Sequence, residues 1–305
     1  MMNDQAEALR NLVRQDEGQP PTARPAPEPA RATRILTITS GKGGVGKSNF
    51  TLNFALQLQS QGYKVLVFDA DIGMANIDVL MGASPKYNLY HLLKRERTIE
   101  EIICLGPNDL RFIAGGSGFN DLLSLTKEEL EYFTEQVLSL SGTVDYILFD
   151  TGAGLSKESM TFITAAEQTI VVTTPEPTSI TDAYAIIKMV HAQEPDVRFQ
   201  LVVNRVTDRK EGKQTADKIR MVSNQFLQLD IPTLGFIPDD ANVTKAVKRQ
   251  VPFSVMFPDS AATRELKELV RRFELAQSTA PQGDTVETET GGVKRFLSRM
   301  LSFMK

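Results

Sequence analysis

The stretch Ile35-Leu36-Thr37-Ile38-Thr39-Ser40-Gly41-Lys42-Gly43-Gly44-Val45-Gly46-Lys47-Ser48 decides the fold. Its first five residues are apolar or β-branched and read as a buried strand, and the helix-compatible run Asn49 to Gln61 follows the glycines. A strand, a loop of the form Gly-x-x-x-x-Gly-Lys-Ser and a helix, in that order, make a cradle for phosphate. The glycines let successive backbone N–H groups turn toward an anion, and the helix start adds its positive end. Gly43, Gly44, Val45, Gly46, Lys47, Ser48 and Asn49 are therefore the candidate cradle. Lys47 is placed to meet the β and γ phosphates of a nucleotide, and Ser48 to ligate the Mg²⁺ that accompanies them.

Two carboxylate-bearing loops follow further strands. Val65-Leu66-Val67-Phe68 ends in Asp69-Ala70-Asp71, and Tyr146-Ile147-Leu148-Phe149 ends in Asp150-Thr151-Gly152-Ala153-Gly154. Open parallel sheets bind ligands at the carboxyl ends of their strands. Asp150 then reads as the carboxylate that holds Mg²⁺ directly or through water, with Asp69 on the same metal side. Asp71 is the candidate for orienting an attacking water, and Gly152 and Gly154 let their loop sense the terminal phosphate. Leu110-Ile113, Thr169-Thr173, Phe199-Val203 and Thr233-Ile237 complete the strand candidates, with helical patterns between them. Continuous apolar strands alternating with helices predict an α/β fold, a mostly parallel doubly wound sheet with helices on both faces, over residues 34–276.

Composition fits this reading. Of 305 residues, 41% are hydrophobic and 24% charged, as in ordinary globular chains. The single cysteine, Cys104, excludes an intrachain disulfide and a multi-cysteine metal site. No apolar run approaches the roughly 20 residues that span a bilayer, and a secretory signal is not evident, so a cytoplasmic protein is expected. A formal net charge of −4 argues against nucleic acid as the main partner.

The two ends differ from the middle. Residues 1–16 carry Ala6, Leu9, Leu12 and Val13 at helical spacing, with Asp4 and Glu7 set as a cap. Five prolines then mark 17–33 as an extended linker. After a polar second linker, 277–291, the segment 292–305 sorts Val293, Phe296, Leu297, Met300, Leu301, Phe303 and Met304 onto one side of a helix and four cations, with no anion, onto the other. At roughly 18 Å such a helix is too short to cross a bilayer but suits the headgroup plane of acidic lipids. Phe296, Leu297, Met300, Leu301 and Met304 are the candidate membrane contacts, with docking on its own domain as the other use of the same arc.

Lys42, directly after the first loop glycine, is unusual for a phosphate loop. With K-G-G-x-G-K-[ST] and the D-x-D strand end, the sequence resembles the MinD/ParA family of deviant-Walker ATPases. The resemblance implies a P-loop NTPase fold of the MinD-like (SIMIBI) type and slow, dimer-dependent hydrolysis of ATP with Mg²⁺. It also implies an ATP-dependent homodimer in which Lys42 reaches the partner's phosphates. It places Asn204, followed by Arg205, at the adenine edge and the loop of Pro238 and Asp239 along the base.

The run Glu176-Pro177-Thr178-Ser179-Ile180-Thr181-Asp182-Ala183-Tyr184-Ala185-Ile186-Ile187-Lys188, like Asp4-Gln5-Ala6-x-x-Leu9-Arg10, is similar to the flagellar-number regulators known as FlhG, FleN or YlxH. That resemblance implies action on the FlhF GTPase through Gln5, on flagellar C-ring components, and at the inner face of the membrane when ATP is bound. A MinD-like division-site or ParA-like partitioning ATPase would share the nucleotide site. An iron-sulfur carrier would need more thiolates than Cys104 supplies.

Overall fold

The computed structural model describes residues 32–71, 76–115, 126–279 and 291–303. The segment predicted from sequence as an N-terminal helix, with Gln5, and the proline-rich stretch to Arg31 lie outside the described residues.

Among the described residues, eight strands form one sheet in the order β3-β4-β2-β5-β1-β6-β7-β8. They are β1 (Arg34–Thr39), β2 (Val65–Ala70), β3 (Cys104–Leu105), β4 (Arg111–Ile113), β5 (Tyr146–Thr151), β6 (Gln168–Thr173), β7 (Arg198–Val206) and β8 (Thr233–Pro238). Every pairing is parallel except β3 with β4. The seven strands read from sequence are all present; β3, two residues on the edge, is additional.

Side chains alternate between the faces of the sheet, so each apolar run feeds two cores. Leu36, Val67 and Leu148 pack on one side against α1 (Lys47–Ser60), α2 (Ile77–Met81), α9 (Ala241–Lys248), α10 (Phe253–Met256) and α11 (Ala261–Thr279). Ile35, Leu66, Phe68 and Phe149 face the other way, toward α3 (Leu89–Leu93), α4 (Ile99–Ile102), α5 (Lys127–Leu138) and α6 (Lys157–Ala165). On that same side α7 (Pro177–Gln193) and α8 (Arg209–Leu227) cover Val171, Leu201 and Val203. Strand order reverses direction about β1, and the loop after β1 opens at that switch point, where open sheets hold ligands.

The last helix, α12 (Gly291–Phe303), is where the structure departs from the sequence reading. A segment lying apart, with its apolar arc turned to lipid, is not what is seen. Val293, Phe296, Leu297 and Met300 are buried in the core that holds Phe149 and Phe162, and Leu301 is half-buried. Phe296 stacks on Phe149 with ring centroids 4.9 Å apart. Arg295 pairs with Glu167, and Arg299 lies 3.7 Å from both Glu194 and Asp196 beyond the end of α7. In this conformation Phe296, Leu297 and Met300 are not available to a bilayer. Met304 lies outside the described residues. The helix α11 also runs on to Thr279, three residues past the sequence-based domain end. Among the described residues, no helix is long and apolar enough to cross a membrane.

Candidate functional site

The loop between β1 and α1 owes its path to two glycines. A Cβ on Gly41 would lie 2.2 Å from the Asp182 carbonyl carbon in α7, so the loop can press against that helix only without a side chain. Gly46, at φ +91°, closes the loop in left-handed backbone, and a Cβ there would meet Asn204 Nδ2 at 2.4 Å.

Lys47 and Asp150 are both buried and form an ion pair, Nζ to Oδ1 2.9 Å. Lys47 Nζ also donates to Ser48 Oγ at 3.2 Å. The Thr51 hydroxyl, one turn into α1, donates to the same Asp150 Oδ1 at 2.7 Å. Asp150 Oδ2 is buried and has no hydrogen-bond partner among the described residues. A carboxylate oxygen left over in this way, in the same lysine-centred group as a serine hydroxyl, is a hard donor set. It fits Mg²⁺, which is commonly held by one or two protein oxygens and keeps several waters.

Asp69 and Asp150 are direct register partners on β2 and β5. Burial, and then the negative charge of Asp150, push the Asp69 carboxyl up to about 7, against the pull of three backbone N–H donors. Those donors show what Asp69 does locally. Oδ1 accepts from the Asp71 amide, and Oδ2 from the amides of Asn76 and Ile77, so Asp69 anchors the loop that carries Asp71. Asp71 is half-buried, and its carboxyl is also raised, by burial first and by Asp150, with Lys47 opposing. Asn76 Nδ2 donates to Asp71 Oδ2 at 3.3 Å. A Cβ on Gly152 would stand 3.3 Å from Asp71 Oδ1, so the two carboxylate loops meet there. The Gly154 amide donates to the Ser40 carbonyl at 2.9 Å and ties the β5 loop to the phosphate loop.

Because the folded-state value of Asp69 lies above its unfolded value of 3.8, native nucleotide-free protein holds a proton that the unfolded chain has released. That stabilising term is fully present below the unfolded value and is lost as pH rises through about 7. The thermal midpoint of nucleotide-free protein should therefore fall between about pH 4 and 7, and fall less in Asp69→Asn. Parallel pH profiles for the two proteins would rule out Asp69 as the group responsible.

Lys42 Nζ contacts Glu176 Oε2 at 3.1 Å and Thr178 Oγ1 at 3.3 Å, both at the start of α7. The pair is open to solvent, with exposures of 43% and 55%, so it is worth at most about 1 kcal/mol and is easily exchanged for a stronger anion. The run Glu176–Lys188 thus meets the phosphate loop twice: its first residues hold the loop lysine and its backbone seats Gly41.

Beside the loop lies a cavity of about 280 Å³ lined by Gly46, Asn49, Asn204, Arg205, Pro238 and Asp239 together with Phe50, Asp240, Val243 and Phe253. The structure thus brings the four predicted base-side residues to one place. Asn204 Nδ2 donates to the Val45 carbonyl at 2.8 Å, which leaves its amide oxygen for other partners. Arg205 Nε lies 3.6 Å from Asp239 Oδ1. Thr51, Asn76, Glu176 in its contact role, and the apolar wall from Val243 and Phe253 were not found from sequence. Val243 and Phe253 come from α9 and α10, and no local motif announces a wall assembled from distant segments.

A lysine–carboxylate pair at a glycine loop, set at the switch point of a parallel sheet, defines a P-loop nucleotide-binding protein. The chain belongs to the CobQ/CobB/MinD/ParA nucleotide binding domain family, whose pattern matches residues 36–253. It is similar to the antiactivator FleN of Pseudomonas aeruginosa, 34% identical over 78% of this chain and 85% of that one. The flagellum site-determining protein YlxH of Helicobacter pylori is 36% identical over 89% of this chain and 91% of its own. Among solved structures, the septum site-determining protein MinD of Pyrococcus horikoshii, complexed with Mg-ADP, superposes with a TM-score of 0.66 at 26% identity, covering 82% of this chain and 99% of its own. The fold class and the ATPase assignment expected from sequence are borne out by these relationships.

Proposed function

We propose that this ATPase is a dimerising, membrane-associating regulator of flagellar number and placement, acting on an FlhF-type GTPase and on C-ring components. The similarity to FleN and YlxH over most of the chain carries this reading. The seating of the Glu176–Lys188 signature against Gly41 and Lys42 supports it, because it joins the flagellar-type segment to the nucleotide loop.

In this reading ATP lies with its base in the cavity at Asn204 and Pro238 and its phosphates on residues 43–48. Lys47 exchanges Asp150 for the β and γ phosphates, and Ser48 and Asp150 hold Mg²⁺, which when bound offsets phosphate charge. Asp71, steadied by Asn76, orients the attacking water. Lys42 leaves Glu176 and crosses to the partner's phosphates. The carboxyl end of α7 reaches Glu194 and Asp196, which hold Arg299, so one helix touches both the loop lysine and the clamp on α12. Dimerisation would then release α12 to acidic lipid.

Asp71→Ala is expected to lower ATP turnover by about 10²-fold or more while the ATP-dependent dimer persists on a sizing column. Normal turnover would reduce Asp71 to a loop residue. The flagellar assignment is tested with a peptide of residues 1–16, which should stimulate GTP hydrolysis by FlhF when Gln5 is present and fail as Gln5→Ala. Absence of stimulation, together with normal flagellar counts on deletion of the gene, would favour the division-site reading that the MinD-like fold also permits.

A further inference from the structure

Thr51 stands in the second turn of α1 and is fully buried, as is Asp150. Its hydroxyl has one proton and two acceptors in reach, the Lys47 carbonyl at 3.0 Å and Asp150 Oδ1 at 2.7 Å. A threonine inside a helix ordinarily returns its proton to the carbonyl four residues back. Here the competing acceptor is closer and is a carboxylate, and charge-assisted bonds are roughly twice as strong as neutral ones. The proton goes to Asp150.

The two oxygens of Asp150 are treated unequally. Oδ1 takes both donors, Lys47 Nζ at 2.9 Å and the Thr51 hydroxyl, while Oδ2 has none among the described residues. In the proposed nucleotide complex Lys47 leaves Oδ1 for phosphate. When it moves, Thr51 is the donor that stays. We propose that Thr51 is a positioning residue that fixes the Asp150 carboxylate, with Oδ2 presented to the metal side, while Lys47 changes partner. This rests on reading Asp150 as the carboxylate that serves Mg²⁺.

The test compares Thr51→Val, which keeps the shape and removes the hydroxyl, with Thr51→Ser and with Asp150→Asn. The readout is binding of a fluorescent ADP analogue, titrated with Mg²⁺ and repeated in excess EDTA. Thr51→Val should raise the Mg²⁺ concentration at half-effect by about tenfold, the lower end of what losing an orienting partner costs a metal site. Its affinity for the analogue in EDTA should match wild type, and Thr51→Ser should restore the Mg²⁺ response. An unchanged Mg²⁺ midpoint in Thr51→Val, with Asp150→Asn shifted, overturns the role of Thr51 and leaves Asp150 in place. An unchanged midpoint in Asp150→Asn overturns the metal reading itself. Equal weakening with and without Mg²⁺ in Thr51→Val would make the residue part of the loop scaffold, and would also overturn the proposal.

Discussion

Lys47→Met is expected to abolish measurable ATP binding and, in the absence of nucleotide, to lower unfolding free energy by about 3–5 kcal/mol. Two separate causes act. Without the ammonium group, the phosphates face only backbone dipoles and the helix start, and they lose a charge-assisted contact. In the empty protein the same substitution strands Asp150, fully buried, with the Thr51 hydroxyl as its remaining described donor. Removing one partner of a buried ion pair costs far more than removing both, because the survivor is an uncompensated charge. Lys47→Met combined with Asp150→Asn should therefore recover most of the lost stability in urea denaturation while still failing to bind ATP in a calorimetric titration. If the double variant were as unstable as the single one, the pair would not be the source of the loss. If the single variant bound ATP with ordinary affinity, the phosphate loop would have been misassigned.

The parts of this molecule that a sequence reading reaches are those in which neighbours along the chain are also neighbours in space. The phosphate loop is one: strand, glycines, lysine and helix are contiguous, and Gly46 takes the left-handed backbone that a glycine permits. The strand ends are another, because parallel strands in register bring Asp69 beside Asp150 as soon as β2 and β5 pair. What the spacing does not carry is the division of labour between these acids. Asp69 sits in the same D-x-D as Asp71, yet its oxygens are taken by the amides of Asp71, Asn76 and Ile77, a closure that depends on how the loop returns to α2. Thr51 looks like any helix threonine until β5 lays Asp150 across it. Strand β3 is missed for a different reason, since two residues carry no periodicity. The C-terminal helix shows the limit most clearly. An apolar arc opposite four cations suits a lipid surface and a protein groove equally, and the choice is made by Phe149 and Phe162, about 130 to 150 residues away in the chain, which form the apolar bed it lies on.

The largest effect outside the nucleotide site is expected from Phe296→Ala. The ring is 2% exposed and stacks on Phe149 at 4.9 Å and Phe162 at 6.5 Å, the centre of the contact between α12 and the rest of the fold. Truncating a buried phenylalanine costs about 3–5 kcal/mol where the cavity cannot collapse. Here the cost has a ceiling, because α12 follows all eight described strands in the chain and can leave without breaking a strand pairing. Once the loss exceeds the free energy of docking, the helix undocks and the remaining sheet keeps its stability. The signature to look for is local: amide exchange in Val293–Met300 faster by about 10²-fold, with the amides of β1 and β5 protected as before. Thr290 truncation, removing α12 altogether, should leave a chain that folds and binds ATP but no longer sediments with acidic liposomes. Phe296→Ala should sediment poorly as well, since in the proposed membrane-bound state the ring that now fills the groove would enter the lipid, whereas Arg299→Glu should loosen docking through Glu194 and Asp196 and weaken attraction to anionic headgroups together. If truncation instead unfolds the chain, α12 is a permanent part of the core and the membrane proposal falls. If it leaves liposome binding intact, the anchor lies elsewhere in the chain.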